Sequence, residues 1–127
     1  LELGWRMQGE INQDKELIIS DTSDLFNYLT PLLADLDHAL QLSPQSAYLY
    51  YNRGCHYAQQ QNYSKAIADF TRALDIEPNM PEAYFNRGLC AIYAKQQEAG
   101  LQDLSKAGEL GLYTAYGIIK KYSSKTP

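Results

Sequence analysis

No apolar stretch in the chain approaches the roughly 18 residues that a membrane-crossing helix needs, and no signal-peptide pattern opens it. A soluble chain is expected. The sequence begins at Leu1 rather than at a methionine, which is expected of a piece of a longer protein, so compartment is left open. Cysteine is scarce: Cys55 and Cys90 cannot make a disulfide framework, and neither has the CxxC or CxxH spacing of a metal site. Both are expected to pack as small apolar side chains. Histidine is scarce too, with only His38 and His56. No GxSxG, P-loop or HExxH pattern accompanies them, so no catalytic constellation can be assembled and no enzyme, cofactor or metal is expected. Basic charge is in the minority, 11 Lys and Arg against 15 Asp and Glu, with a net charge of −4. A nucleic-acid binder would need a basic footprint instead.

What the chain does have is a phrase that it says twice. Tyr50-Tyr51-Asn52-Arg53-Gly54 returns 34 positions later as Tyr84-Phe85-Asn86-Arg87-Gly88. The agreement continues. Ala66, Asp69, Phe70, Arg72 and Ala73 are answered at the same offsets by Gly100, Asp103, Leu104, Lys106 and Ala107. Tyr57 and Pro78 are answered less well, by Ala91 and Leu112. A fixed period of this size implies stacked repeats rather than one irregular globule.

The physical reading of the repeat is a pair of helices. Tyr50, Gly54, Tyr57 and Ala58 share one helical face. Glycine within a helix costs roughly 1 kcal/mol against alanine, so its recurrence at 54 and 88 predicts close approach of a facing helix. Ala66 and Gly100 are the small residues expected opposite, with Phe70 and Leu104 filling the space between layers. Gln60-Gln61-Asn62 and Ala94-Lys95-Gln96-Gln97 are polar breaks of turn length. The helices are therefore expected at 47–60, 64–76, 81–94 and 97–109.

With Tyr50, Gly54, Tyr57, Ala66, Phe70, Ala73 and Pro78 in this order, the chain resembles the tetratricopeptide repeat family, whose 34-residue unit is a helix-turn-helix pair. The match is strong over 47–80 and weaker over 81–112. The resemblance implies an all-α, right-handed α-solenoid of such hairpins closed by a C-terminal capping helix.

Counting back one period places Leu36, Ala39 and Pro44 where Phe70, Ala73 and Pro78 stand. Residues 13–46 therefore read as a degenerate first repeat. Its helix B is expected over 31–42, and its helix A within 13–29 lacks the aromatic-glycine phrase. Residues 1–12 have no clear period, and Ser23 or Asp24 is a helix N-cap candidate. Gly108 and Gly111 bracket a helix stop. The amphipathic segment 113–123 is expected to cover the last apolar face of the stack, as solenoids require.

The polar repeats admit two readings. Asn52-Arg53 and Asn86-Arg87 are either ligand contacts or bridges between layers, the latter suiting the multi-donor guanidinium. Asp69 and Asp103 each precede a basic residue by three positions, Arg72 and Lys106, which predicts i,i+3 pairs on an exposed face.

The resemblance implies a protein or peptide partner lying along the inner curve formed by the first helix of each pair. Mapped onto this sequence, that groove carries Tyr48, Tyr51, Cys55 and Gln59, then Glu82, Phe85, Leu89 and Tyr93, with Asn52 and Asn86 as polar contacts. Tyrosine and phenylalanine are frequent interface anchors. Some family members grip a C-terminal carboxylate. Asn86 matches one of their contacts, but Tyr51 and Cys55 stand where two others would be, so that clamp is incomplete. The alternative is a structural unit, a homo-oligomer or a spacer in a longer chain, whose groove is filled internally. The two differ in whether Tyr51, Phe85 and Leu89 form one exposed patch.

Overall fold

The computed structural model describes residues 32–123. Among them lie six helices and no strand: α1 Leu32–Leu42, α2 Ala47–Gln59, α3 Tyr63–Ile76, α4 Pro81–Tyr93, α5 Gln97–Glu109 and α6 Thr114–Ser123. The expected boundaries hold to within a residue or two. The N-cap candidates Ser23 and Asp24, the first repeat's helix A and the segment before it lie outside the described residues.

Local chemistry explains where the helices start and stop. Ser46 caps α2, its Oγ accepting from the Leu49 amide at 3.2 Å. Asn62 caps α3, its Oδ1 accepting from the Lys65 amide at 3.4 Å. Each satisfies an amide that the first helical turn leaves without a partner. Pro81 opens α4, where its missing N–H is no loss. Between paired helices the chain reverses through Gln61 and Lys95, both at positive φ (62° and 69°) and 34 positions apart. The two turns are one design, used twice.

The core runs through the stack as a single cluster. Phe70, Ala66 and Ala73 of α3, Leu89 and Cys90 of α4, and Leu104 and Ala107 of α5 are all fully buried. Within a pair, glycine sets the spacing. A Cβ on Gly88 would stand 2.8 Å from the Gly100 carbonyl oxygen, and one on Gly100 would stand 2.5 Å from that of Gly88. The α4 and α5 backbones thus touch at two glycines. In the preceding pair Gly54 meets a ring instead, its hypothetical Cβ lying 2.7 Å from Phe70 Cε1. The expected mutual approach of Gly88 and Gly100 is observed, whereas Gly54 is faced by the Phe70 ring rather than by the expected Ala66, which is buried in the core. The chain is an all-α stack of helical hairpins, α2–α3 on α4–α5, with α1 before and α6 after.

α6 packs on α5 through the fully buried Ala115, and Tyr116 lays its ring over Gly108. Gln97 Nε2 of α5 donates to the Tyr122 carbonyl of α6 at 3.4 Å. Gly111, at φ 109°, makes the turn between the two helices, a conformation that side chains with a Cβ rarely adopt. α6 also keeps the period. Ile118 and Lys121 fall 34 positions after Tyr84 and Arg87, so the helix lies in the register of α4.

Candidate protein-interaction surface

The polar residues of the repeated phrase form an inter-helix ladder. Arg53 of α2 grips Asp69 of α3 with two parallel bonds, Nε to Oδ2 at 2.7 Å and Nη2 to Oδ1 at 2.8 Å. Its Nη1 reaches back to Asp37 of α1 at 2.8 Å. Arg87 repeats the arrangement one period later. It donates to Asp103 at 2.8 and 2.9 Å and, through Nη1, to Thr71 Oγ1 at 3.0 Å. Each arginine thus ties its own helix pair together and joins it to the preceding one. Bidentate charged bonds of this kind are among the stronger polar contacts. The bonds to Asp69, and secondarily to Asp37, hold the Arg53 guanidinium even more firmly protonated than usual, against the opposing effect of burial. Asp103 does the same for Arg87. Tyr50 and Tyr84 stack beside these arginines, with Arg53 5.8 Å from the Tyr50 ring centre and Arg87 5.6 Å from that of Tyr84.

This corrects the expectation of i,i+3 pairs at Asp69–Arg72 and Asp103–Lys106. The carboxylates turn inward to the arginines of the facing helix. Arg72 lies 4.9 Å from the Tyr50 ring and donates to its hydroxyl at 3.3 Å, while Lys106 meets Glu109 at 4.0 Å. Of the two readings of the Asn-Arg phrase, the arginines take the bridging one. The signal for it is a spacing of 16. That interval separates Arg53 from Asp69 and Arg87 from Asp103, as well as Asp37 from Arg53 and Thr71 from Arg87.

The expected groove residues divide into two groups. Tyr51, Phe85 and Leu89 are not an exposed patch: they are 3%, 2% and 0% exposed. Tyr51 packs its ring on Phe70, 5.7 Å between centres, and its hydroxyl accepts from Asn86 Nδ2 at 3.2 Å. Burial holds that phenol protonated well above its ordinary range, with Cys55 and Glu82 adding to the effect. These three side chains belong to the core cluster at the seam where α4 packs chiefly on α3 and only lightly on α2. Asn86 belongs to the seam as well. It is fully buried and also donates to Cys55 Sγ at 3.8 Å.

The second group stays accessible. Tyr48 is 55% exposed. Asn52, Cys55, Gln59, Glu82 and Tyr93 are half-buried, and Tyr93 pairs its ring with Tyr63 of α3, 5.5 Å between centres. The strip is therefore shallower and more polar than expected, with aromatics at its two ends.

Residues 47–80 match the model of the tetratricopeptide repeat family. That span is a tetratricopeptide repeat. It coincides with α2, the turn at Gln61, α3 and the connection to Pro81. The second hairpin, α4–α5, repeats its Arg–Asp clamp and its turn geometry. Tetratricopeptide repeats are generally protein–protein interaction modules, on scaffolds that are generally not enzymes. No curated protein matches the chain.

The scarce reactive side chains sit in this scaffold. Burial pushes the Cys90 thiol up to about 12, which keeps it protonated and unreactive at neutral pH. Burial lowers the pKa of His56, on α2, below its ordinary value. The unfolded chain then binds a proton near pH 6.5 that the folded chain refuses. Stability should therefore fall as pH drops below about 6.5. Thermal melts of the native chain and of His56→Gln between neutral pH and the onset of carboxylate titration check this. The native chain's melting temperature should decline over that window and the variant's should change less. Among the described residues no helix is long and apolar enough to cross a membrane.

Proposed function

We propose that the chain is a protein-binding module that takes an extended segment or one helix of its partner along the accessible strip of α2 and α4. The observation that carries this reading is the placement of Tyr48 and Glu82 at equivalent positions of successive repeats. Tyr48 is open, Glu82 is half-buried one repeat on, and Asn52, Cys55, Gln59 and Tyr93 are also partly accessible. Stacked repeats build such extended surfaces by translation alone. Tyr48 offers a rigid apolar ring with a polar tip, while Asn52 and Gln59 can bond to a partner's backbone. Tyr51, Phe85 and Leu89 support this strip from below. The burial of those three favours a second reading, a structural unit that holds neighbouring segments of a longer chain and takes no separate partner.

Site-specific cross-linking separates the two. A photoreactive phenylalanine derivative replaces Tyr48 in one variant and the exposed Gln102 of α5 in another. Illumination in extract of the source cells should yield a discrete adduct from the first and none from the second. Glu82→Lys should then weaken the captured partner's affinity by about tenfold, or roughly 1.4 kcal/mol, with the melting temperature unchanged. Equal labelling from both positions, or none from Tyr48, supports the structural unit.

A further inference from the structure

The α2–α4 strip leaves two features unused, at opposite ends of the described helices. The first is a cleft of about 570 Å³ between α1, α2 and α3. Its lining mixes Leu40, Tyr57 and Ala68 with the clamped charges of Arg53 and Asp69. Asp37 and Gln41 form the α1 wall, and Lys65 stands on the α3 side, its ammonium 5.5 Å from the Tyr57 ring centre. The second is a stripe along α6 and the turn before it. Tyr113 is 73% exposed and Tyr116 47%. Gly117 and Lys120 are exposed beside them, and nothing lies within 4 Å of where a Gly117 Cβ would be. Positions 116, 117 and 120 share one face of α6, and Tyr113 lies in the turn just before it.

We propose that these two features are halves of one contact, so that α6 of one copy of the chain docks head to tail in the α1–α2–α3 cleft of another. The chemistry of the two surfaces is complementary. A tyrosine needs apolar surroundings for its ring and polar partners for its tip. The cleft supplies Leu40 and Tyr57 for the ring, the Asp37 carboxylate to accept from the hydroxyl and the Lys65 ammonium to donate to it. Within the cleft Asp37 and Asp69 are balanced by Arg53 and Lys65, but the helices themselves are complementary: α6 carries Lys120 and Lys121 and no acidic side chain, while α1 carries Asp35 and Asp37 and no Lys or Arg. Asp37 keeps half of its side chain open despite its bond to Arg53. The contact pairs two different surfaces, so it is heterologous and does not close on itself. A stripe of one helix is smaller than a standard protein–protein interface, so the association is weak and grows with concentration.

Sedimentation velocity on the whole chain over a wide concentration range tests it. The weight-average mass should rise above the 14.4 kDa of one copy without levelling at a dimer. Two variants at exposed positions dissect the contact: Tyr113→Ala removes the protruding ring, and Ala68→Arg fills the cleft. Each alone should sediment as a monomer, with association weakened by about tenfold or more, and each should melt like the native chain. Mixed together, they should form a dimer and nothing larger, since only one intact cleft and one intact stripe remain to meet. A native mass that stays at one copy throughout overturns the proposal. So does a mixture that remains monomeric, or one that grows beyond the dimer.

Discussion

Phe70→Ala should destabilise the chain by about 3–5 kcal/mol, the usual range for removing a buried ring. The phenyl group is fully buried. It lies against Gly54 on one side, where a hypothetical Cβ would come within 2.7 Å of Cε1, and against the Tyr51 ring on another. Tyr51 in turn bonds Asn86 of the next hairpin. The cavity would therefore open where α2, α3 and α4 meet, and rigid helical backbone limits how far it can collapse. Chemical denaturation gives the cleanest reading. A stack couples each hairpin only to its neighbours, so weakening the 47–80 pair should also lower the slope of the transition as that pair loosens before the rest. A loss below about 1 kcal/mol would mean that the site repacks and that Phe70 is not the keystone its burial makes it.

That prediction depends on a frame that was legible before any coordinates. The recurrence of Tyr-Tyr-Asn-Arg-Gly as Tyr-Phe-Asn-Arg-Gly fixed the period. Glycine at 54 and 88, with small residues at 66 and 100, announced the close helix contacts, because nothing but packing justifies helical glycine. Turn positions were legible from polar breaks, though not the positive φ at Gln61 and Lys95. Neither is glycine, and the strain becomes visible only when the two turns are seen to coincide.

The candidate surface was less legible, for a geometric reason. Helical spacing tells which residues share a face, but it does not tell how closely a second helix covers that face. Tyr48, Tyr51, Cys55 and Gln59 do form a stripe. Yet Tyr51 leans into the seam toward Phe70 and Asn86, while Tyr48, one turn earlier, stays in solvent. Phe85 and Leu89 sink in the same way. The Arg–Asp ladder was hidden for a related reason. An aspartate three residues before a basic side chain suggests a local pair, but Arg53 and Arg87 offer two parallel donors from the facing helix, a geometry that a single flexible neighbour cannot match. The spacing of the terminal segment predicts an amphipathic helix, which α6 is. That it continues the register of α4 through Ile118 and Lys121 is open to the same 34-residue count, but its Tyr122 stands where glycine would mark the phrase.

Gly88→Leu should destabilise by about 2–3 kcal/mol, toward the upper end of what overpacking a filled interior costs. The Cβ alone would sit 2.8 Å from the Gly100 carbonyl oxygen, 3.1 Å from Asp103 Cβ and 3.1 Å from Leu104 Cγ. The first of these is backbone inside α5 and cannot rotate away. α4 and α5 would have to move apart, stretching the paired bonds from Arg87 to Asp103, now 2.8 and 2.9 Å. Leucine's better helix propensity returns at most about 1 kcal/mol. Comparison with the same change one repeat earlier makes the argument specific. At Gly54 the nearest obstacle is the Phe70 ring rather than backbone. In double-mutant cycles that include Phe70→Leu and Leu104→Ala alone, Gly54→Ala and Phe70→Leu should therefore compensate one another, the double losing less than the two singles together. Gly88→Ala and Leu104→Ala should show no such recovery, because the carbonyl stays where it is. Thermal and denaturant melts of these variants beside the native chain settle the matter. Recovery in both pairs would mean that side chains, and not the α4–α5 backbone contact, set the spacing of the second hairpin.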